Sequence, residues 1–519
     1  MDLQLILLIN FAAISALAFL VVLVRRTPGA GSMLIAHAIV LLSALAAWFA
    51  FPAQMGTITS AVFLSLIALP ALAINRAFRA GLLNDWARAA GYARLASIVH
   101  PAPGYRFAAR LMAALAQGSM TKCIEALNAL SGTATPGQKL ILDAHAKRSL
   151  DDWEGVLATA RARRPVAPEL QPLELRALGE TGRLDEMVNA YETCRLQMAG
   201  PAALIAQMNM FALAGRTASV DRLIQEHLPA MAPDLRSYWQ AVALARAGDP
   251  HALPGVLAET QNQSLTRAVN RHLAAAPPEP LSALSNTRLL SYEKRLANAP
   301  SRARFRLSRS PVTYALLLLI AIGFGVELGF GGSEDEATLW RIGALWMPSV
   351  IEEREWWRLV TAMFLHFGYL HLAFNGLALW LLGTAAEARI GSIRTLIVYA
   401  LGGLISMAVL VGVMWLGLVP NGLCVGASGA IMALIGAEGG RRLVLWLRER
   451  DPVDRQMLIL LAMIVAFQSS LDLVIPAVSF TGHLSGVIAG ALIGLAIAAF
   501  DGQRATSSPG PQAAATHSP

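Results

Sequence analysis

The sequence predicts an all-α, polytopic membrane protein that carries a soluble helical domain, and three observations point to it. The 519 residues are 55% hydrophobic and only 15% charged, against roughly 25% charged in an ordinary soluble protein. The mean hydropathy is +0.51. The apolar excess gathers in long uncharged runs at both ends, around a charged middle rich in Ala, Leu, Arg and Glu. These features exclude a disordered chain, a coiled coil and a disulfide-rich secreted module. Cys123, Cys194 and Cys424 are far apart and form no CxxC pair. Neither a disulfide framework nor a metal site is therefore expected.

A bilayer crossing needs about 20 apolar residues. Seven runs meet or approach that length: 3–24, 33–51, 312–330, 359–386, 393–416, 456–476 and 483–500. Two weaker runs are 57–74, which holds Pro70, and 428–447, interrupted by Glu438, Arg441 and Arg442. The first run has no basic residue before it and is followed by Arg25-Arg26, so it reads as an anchor and not as a signal peptide. If all nine runs cross, one side collects Arg25-Arg26, Arg76 and Arg79, Arg302 through Arg309, Arg389 and Arg394, and Arg441 through Arg455. The other side receives the acidic loop 332–355. The positive-inside rule makes the arginine side cytoplasmic. If 57–74 does not cross, the N-terminus moves inside and the last six spans keep their orientation. The net charge of +8 is then a topology signal, and no nucleic-acid partner is expected.

The middle is amphipathic helix, with apolar residues at three- and four-residue spacing. Gly182, Gly215 and Gly248 recur at intervals of 33, with Ser149 one period earlier and Gly118 a further 31 before it. Helix–turn–helix units near this period are the signature of tetratricopeptide-type arrays. The expectation is a TPR-like domain offering a protein-binding surface. The division expected is an N-terminal membrane anchor over 1–75, a TPR-like domain over 76–276, a basic linker over 277–311, a membrane core over 312–501 and a low-complexity, disordered tail over 502–519.

Ionisable groups at membrane depth are costly, so they mark functional sites. In the core these are His366, His371 and Asn375, then Ser428 within GASG, then His483 within TGHLSG. A serine becomes a nucleophile when a base reaches its hydroxyl. Ser428 and His483 are 55 residues apart, so they meet only if their helices pack unusually closely. Gly482, Gly486, Gly490 and Gly494 form one smooth helix face, and Gly429, Ala433 and Ala437 form another. Small faces allow close approach. Both helices start on the outer side, which puts the pair at one depth. The helix start at Ser428 offers free N–H groups to an oxyanion. His371 and Asn375 share a helix face and are further donors. The bland alternatives are helix packing for the serine, a structural hydrogen bond or a proton path for the histidine, and helix gluing for Asn375. No carboxylate is obviously placed as a third member, so a Ser–His dyad is the economical expectation.

These residues closely resemble the rhomboid family of intramembrane serine proteases over roughly 312–500. The matching segments are EWWRLVTAMFLHFGYLHLAFNGLALWLLGTAAEARIG (355–391), GASGAIMALIG (426–436) and GHLSGVIAG (482–490). The family's outer-loop WR pair corresponds to Trp357-Arg358. Its HxxxxHxxxN corresponds to His366, His371 and Asn375, its GxSG serine to Ser428, and its last-helix histidine to His483. The resemblance implies a six-helix bundle, Ser428 as nucleophile and His483 as base. It implies an oxyanion hole of His371, Asn375 and the Ser428 N–H. It gives structural roles near the site to Gly426, Gly429, Gly482, Gly486, Trp357, Arg358, His366 and Glu387. Single-span membrane proteins in the lipid bilayer are the implied substrates, with no cofactor and no metal. One departure is Met432, where some members carry an aromatic residue. The implied location is a multi-pass integral protein of the bacterial inner membrane, with the repeat domain cytoplasmic and open to a protein partner.

Rival chemistries leave different marks. A zinc protease needs HExxH, an aspartyl protease of the presenilin type resembles GxGD, and neither occurs. A transporter would show repeated halves, which are absent. A catalytically inert rhomboid-like scaffold, or a transporter, carrying the repeat domain is the alternative, and Ser428→Ala separates it from a protease.

Overall fold

The computed structural model describes residues 3–507 apart from 26–30, 83–84, 101–102, 118, 164, 197, 199, 230, 250, 260–262, 276–277, 299–309 and 475–478. The described residues are largely helical, with one isolated β-bridge between Leu345 and Cys424. The chain separates into two compact units, 1–303 and 304–519.

The first unit opens with the apolar helices Leu3–Arg25 and Gly31–Ala50. The weak run 57–74 lies in a third helical stretch, 52–81, that is long and apolar enough to cross a membrane. Pro70 offers no N–H to the helix ladder. A π-helical turn, Leu64–Ala68, directly precedes its helix Leu69–Leu82, and Leu69 N–H reaches back to Leu64 O. Such a turn shifts the hydrogen-bond register, so the helix continues through the proline. Leu8, Ala44, Ala47 and Met55 bury together between the three stretches. Helix Leu69–Leu82 runs straight through the expected boundary at 75.

Four turns of the helical region are closed alike. Asp151, Gly182, Gly215 and Gly248 have φ of +60°, +80°, +70° and +108°. The residue after each donates back to Lys147, Leu178, Phe211 and Leu244, at 3.0, 2.8, 2.8 and 3.0 Å. This is the Schellman closure, in which one left-handed residue caps a helix and reverses the chain. The expected turn residue Ser149 instead ends helix Pro136–Ser149. Asp151 takes the turn, and an asparagine or aspartate tolerates left-handed backbone better than most side chains. Gly118 lies outside the described residues.

The expected linker 277–311 is not all linker. It contains helix Ala283–Asn298, and Leu289, Tyr292 and Leu296 are buried in the same core as Leu178, Phe211 and Val242. Their i, i+3, i+7 spacing is one helix face; the neighbouring arginines masked that face in the sequence. The cluster Arg302 through Arg309 lies outside the described residues.

The second unit is built on six long helices: α1 (Pro311–Phe330), α2 (Gly368–Ile390), α3 (Ser392–Trp415), α4 (Ser428–Glu449), α5 (Pro452–Val474) and α6 (Phe480–Ser507). The charges that interrupt the run 428–447 do not break α4. Glu438 pairs with Arg441 at 2.9 Å, Arg442 at 2.8 Å and Arg389 of α2 at 3.5 Å. Residues 502–507, expected as disordered tail, extend α6, and 508–519 lie outside the described residues. Glu387 of α2 accepts from the N–H groups of Val312 and Thr313 at 3.0 and 2.9 Å, and from the Thr313 hydroxyl at 2.7 Å. A carboxylate at a helix start satisfies orphan donors and meets the positive end of the dipole. Glu387 therefore ties α2 to the first turn of α1.

Candidate active site

Helix α4 starts at Ser428, with Ala427 as its N-cap. The Ser428 N–H is thus among the four that a helix start leaves without an intrahelical partner. The loop before it is clamped from both sides. Leu345 and Cys424 exchange two backbone hydrogen bonds of 2.9 Å, and Gly426 N–H donates to Ala362 O at 2.8 Å. Gly426 has φ +133°, a conformation open to glycine and few other residues. A Cβ there would stand 2.8 Å from Cε1 and 3.0 Å from Nε2 of His371, and 3.8 Å from Ser428 Oγ. Glycine therefore lets the loop lie against the imidazole edge, with His371 Nε2 and the Ser428 hydroxyl bordering one small space.

His371 Nδ1 accepts a hydrogen bond from Phe367 N–H at 3.3 Å. A neutral imidazole accepts at one nitrogen and donates from the other, so this bond assigns the proton to Nε2, the side toward Gly426. Asn375, buried, spends one amide N–H on His371 O at 3.0 Å; the amide carries a second donor. His366 is fully buried and packs edge-on against the His371 ring, with centroids 5.2 Å apart. Its backbone N–H donates to Glu327 of α1 at 2.6 Å.

Trp357 and Arg358 lie in the segment between α1 and α2. The Arg358 guanidinium is buried, donates to Trp340 O at 2.6 Å and Ala344 O at 3.0 Å, and lies 5.3 and 4.7 Å from the ring centroids of Trp340 and Trp357. Its two carbonyl bonds and two ring contacts staple the loop that carries Leu345, the partner of Cys424.

Helices α4 and α6 touch backbone to backbone. A Cβ on Gly486 would stand 2.2 Å from Gly429 O, on Gly490 2.0 Å from Ala433 O, and on Gly494 2.1 Å from Ala437 O. Each helical turn of one stripe thus meets one turn of the other, and Gly429 and Gly486 share a level. Ser428 precedes the first of these by one residue, and His483 precedes the second by three. Ser406 of α3 fills the remaining notch. Its hydroxyl donates to Gly482 O at 2.6 Å, and a Cβ on Gly429 would stand 2.3 Å from it.

His483 is buried, and its Nδ1 lies 2.8 Å from Asp472 Oδ2 at the end of α5. This carboxylate corrects the expectation that none is placed beside the histidine. Asp472 and Ser406 both went unnoticed in the sequence, though Asp472 is an acid within an apolar run and Ser406 a lone hydroxyl in another, which is the available signal.

A family model for the Rhomboid domain matches residues 353–500. YdcA of Bacillus subtilis, which is named for the same family, is 30% identical over 183 residues, covering 35% of this chain and 86% of its own length.

The chain belongs to the rhomboid family.

It is also 35% identical over 211 residues to the rhomboid protease GluP of Bacillus subtilis, covering 40% of this chain and 39% of GluP. To the rhomboid protease GlpG of Salmonella paratyphi A it is 29% identical over 209 residues, 39% of this chain and 67% of GlpG. The chain thus spans about two fifths of the length of GluP, and the likeness to a rhomboid lies in the second unit. Together with the apolar helices, membership makes this a multi-pass integral membrane protein with a helical bundle as its rhomboid domain.

Proposed function

We propose that this chain is an intramembrane serine protease, with Ser428 as nucleophile and His483 as general base. The observation that carries the proposal is the register of α4 on α6, with Gly429 O in van der Waals range of Gly486. Only near-contact of the two backbones allows a serine and a histidine 55 residues apart to work on one carbonyl. The relatives named as proteases support the same reading.

In the first step Ser428 Oγ attacks the scissile carbonyl carbon, and its proton passes to His483 Nε2. The carbonyl oxygen becomes an oxyanion. The Ser428 N–H, the His371 Nε2–H and the second Asn375 N–H are its donors, and such groups stabilise developing charge most where water is excluded. The C–N bond then breaks, and His483 returns the proton to the leaving amine. Water next attacks the acyl ester, giving a proton to His483; the C–Oγ bond breaks and that proton restores the serine hydroxyl. Side chains, backbone and the attacking water supply every proton and charge in this sequence, so it calls for no cofactor.

The substrates proposed are single-span membrane proteins, presented from the bilayer. The arginine distribution supports a bacterial inner membrane location with the helical region of the first unit cytoplasmic. Its repeated Schellman-closed hairpins support a TPR-like, partner-binding role. Intact protein in liposomes is expected to cleave a membrane-spanning reporter and to label at Ser428 with a fluorophosphonate. Full cleavage by Ser428→Ala or by His483→Ala would remove the mechanism, and no cleavage by the wild type would leave an inert scaffold or a transporter.

A further inference from the structure

We propose that Asp472 is a positioning residue for the general base: its carboxylate receives the Nδ1–H of His483 and so turns the unprotonated Nε2 toward Ser428. The inference rests on the protease assignment above and replaces its dyad by a three-residue relay of orientation.

The contact is short, buried and fully committed. Nδ1 and Oδ2 are 2.8 Å apart, with the Asp472 side chain wholly inaccessible and that of His483 9% accessible. The second carboxylate oxygen accepts from Gln468 Nε2 at 2.8 Å, one turn back on α5. With one oxygen held by the amide, the other has a single direction in which to point.

The location is unfavourable for any lesser purpose. Asp472 sits in the last turn of α5, where the helix dipole is negative and a carboxylate is repelled. It also lies in an apolar run, where an acid is costly. A charge that serves no chemistry and stands at the wrong end of a helix is a net loss. The two hydrogen bonds offset that loss, and the one to His483 has a chemical consequence. A neutral imidazole whose Nδ1 donates must accept at Nε2. When the serine proton arrives at Nε2, the carboxylate faces the new imidazolium and stabilises it, while the Nδ1 proton stays on nitrogen. That division of labour is the one known from serine proteases of other folds. The charged or titratable neighbours of His483 are Asp472 from α5 and His371 from α2; α3 brings the Ser406 hydroxyl to the adjacent Gly482 O.

The test uses intact protein in detergent and in liposomes, with cleavage of a membrane-spanning reporter and the rate of fluorophosphonate labelling as readouts. Asp472→Asn keeps the shape but offers an N–H to Nδ1, which forces the proton to Nε2. The expected result is a fall in kcat and in labelling rate of roughly 10²–10⁴, with KM within a few-fold. A tether between α5 and α6 alone would lower thermal stability without that split between kcat and KM. Cleavage and labelling within about threefold of wild type would overturn the proposal. Should Asp472→Asn not fold, histidine-selective nitrogen NMR of the wild-type protein decides: a His483 proton on Nδ1 supports the proposal and one on Nε2 refutes it. Failure of the protease assignment looks different, since wild type and Ser428→Ala would then be equally silent to the probe.

Discussion

The helices of the first unit are held apart by their side chains, and those of the second are held together by the absence of them. In the helical region Leu178, Phe211, Met210 and Val242 are fully buried between elements, and removing such area from water is what stabilises the packing. In the bundle α4 and α6 meet through Gly429, Gly486, Gly490 and Gly494. Lipid tails are as apolar as leucine, so close van der Waals contact and hydrogen bonds must do what hydrophobic burial does in water. Glycine has a different task in each region. Gly182, Gly215 and Gly248 are there for a positive φ, whereas Gly486 is there for its missing Cβ.

Buried polar groups follow the same contrast. The helical region gathers them into a network. Arg176 lies over the rings of Trp153 and Trp239, 4.9 and 5.0 Å from their centroids, and Glu180 accepts from Arg271 at 2.9 Å beside His272 at 3.3 Å. Apart from the Glu438 cluster, the bundle uses single carboxylates, each with an assigned job: Glu387 at the start of α1, Glu327 on the His366 backbone, Asp472 on His483.

The contrast can be broken at several points. The largest effect expected is chemical: Ser428→Ala should lower cleavage by at least about 10⁴-fold and leave the unfolding temperature unchanged. A large loss of stability in that variant would make Ser428 a packing residue. Next comes Gly486→Val. Even its Cβ would stand 2.2 Å from Gly429 O, so the helices must part, at a cost of about 3 kcal/mol or more, and activity should fall with stability. Glu387→Ala removes the acceptor of three donors at the start of α1 and should destabilise the bundle by about 1–3 kcal/mol, read from thermal unfolding in detergent. A variant as stable as wild type would show that water caps that helix equally well.

The two smallest effects belong to the first unit. Burial pushes the His272 imidazole down to about 4, and the neighbouring Glu180 only partly restores it. The folded unit therefore binds fewer protons than the unfolded chain between about 4 and the ordinary 6.5. The stability contributed is complete above about 6.5 and is lost as pH falls toward 4, by on the order of 1–3 kcal/mol. Thermal unfolding of the intact protein at pH 7.5 and 4.5 (values set about that window) checks this, and His272→Asn should flatten the difference. Gly248→Ala should cost about 1–2 kcal/mol. Nothing stands within 4 Å of the added Cβ, so the cost is backbone strain alone. A loss as large as that of Gly486→Val would erase the distinction between the two kinds of glycine.

Much was legible along the chain because it is periodic or chemically conspicuous. Apolar runs gave the long helices, the GASG and TGHLSG segments gave Ser428 and His483, and the glycine stripes gave the contact of α4 with α6. Composition misled where a charged background hid a pattern. The arginines near 300 concealed the buried face of Leu289, Tyr292 and Leu296, and the interrupting charges of α4 pair among themselves. Turn position was misjudged at Ser149 because the first interval is shorter than the later ones, and spacing cannot reveal which residue adopts the left-handed conformation.

What the sequence determined by itself is the set of elements and most of the reactive groups, since hydrophobic period, helix propensity and side-chain chemistry are local properties. What only the tertiary structure decided is which groups meet. The notch filled by Ser406 rests on three helices converging, and the carboxylate on His483 on the end of α5 reaching α6. Hydrogen-bond direction and contact across helices depend on distances between segments far apart in the chain, and no linear pattern encodes those distances.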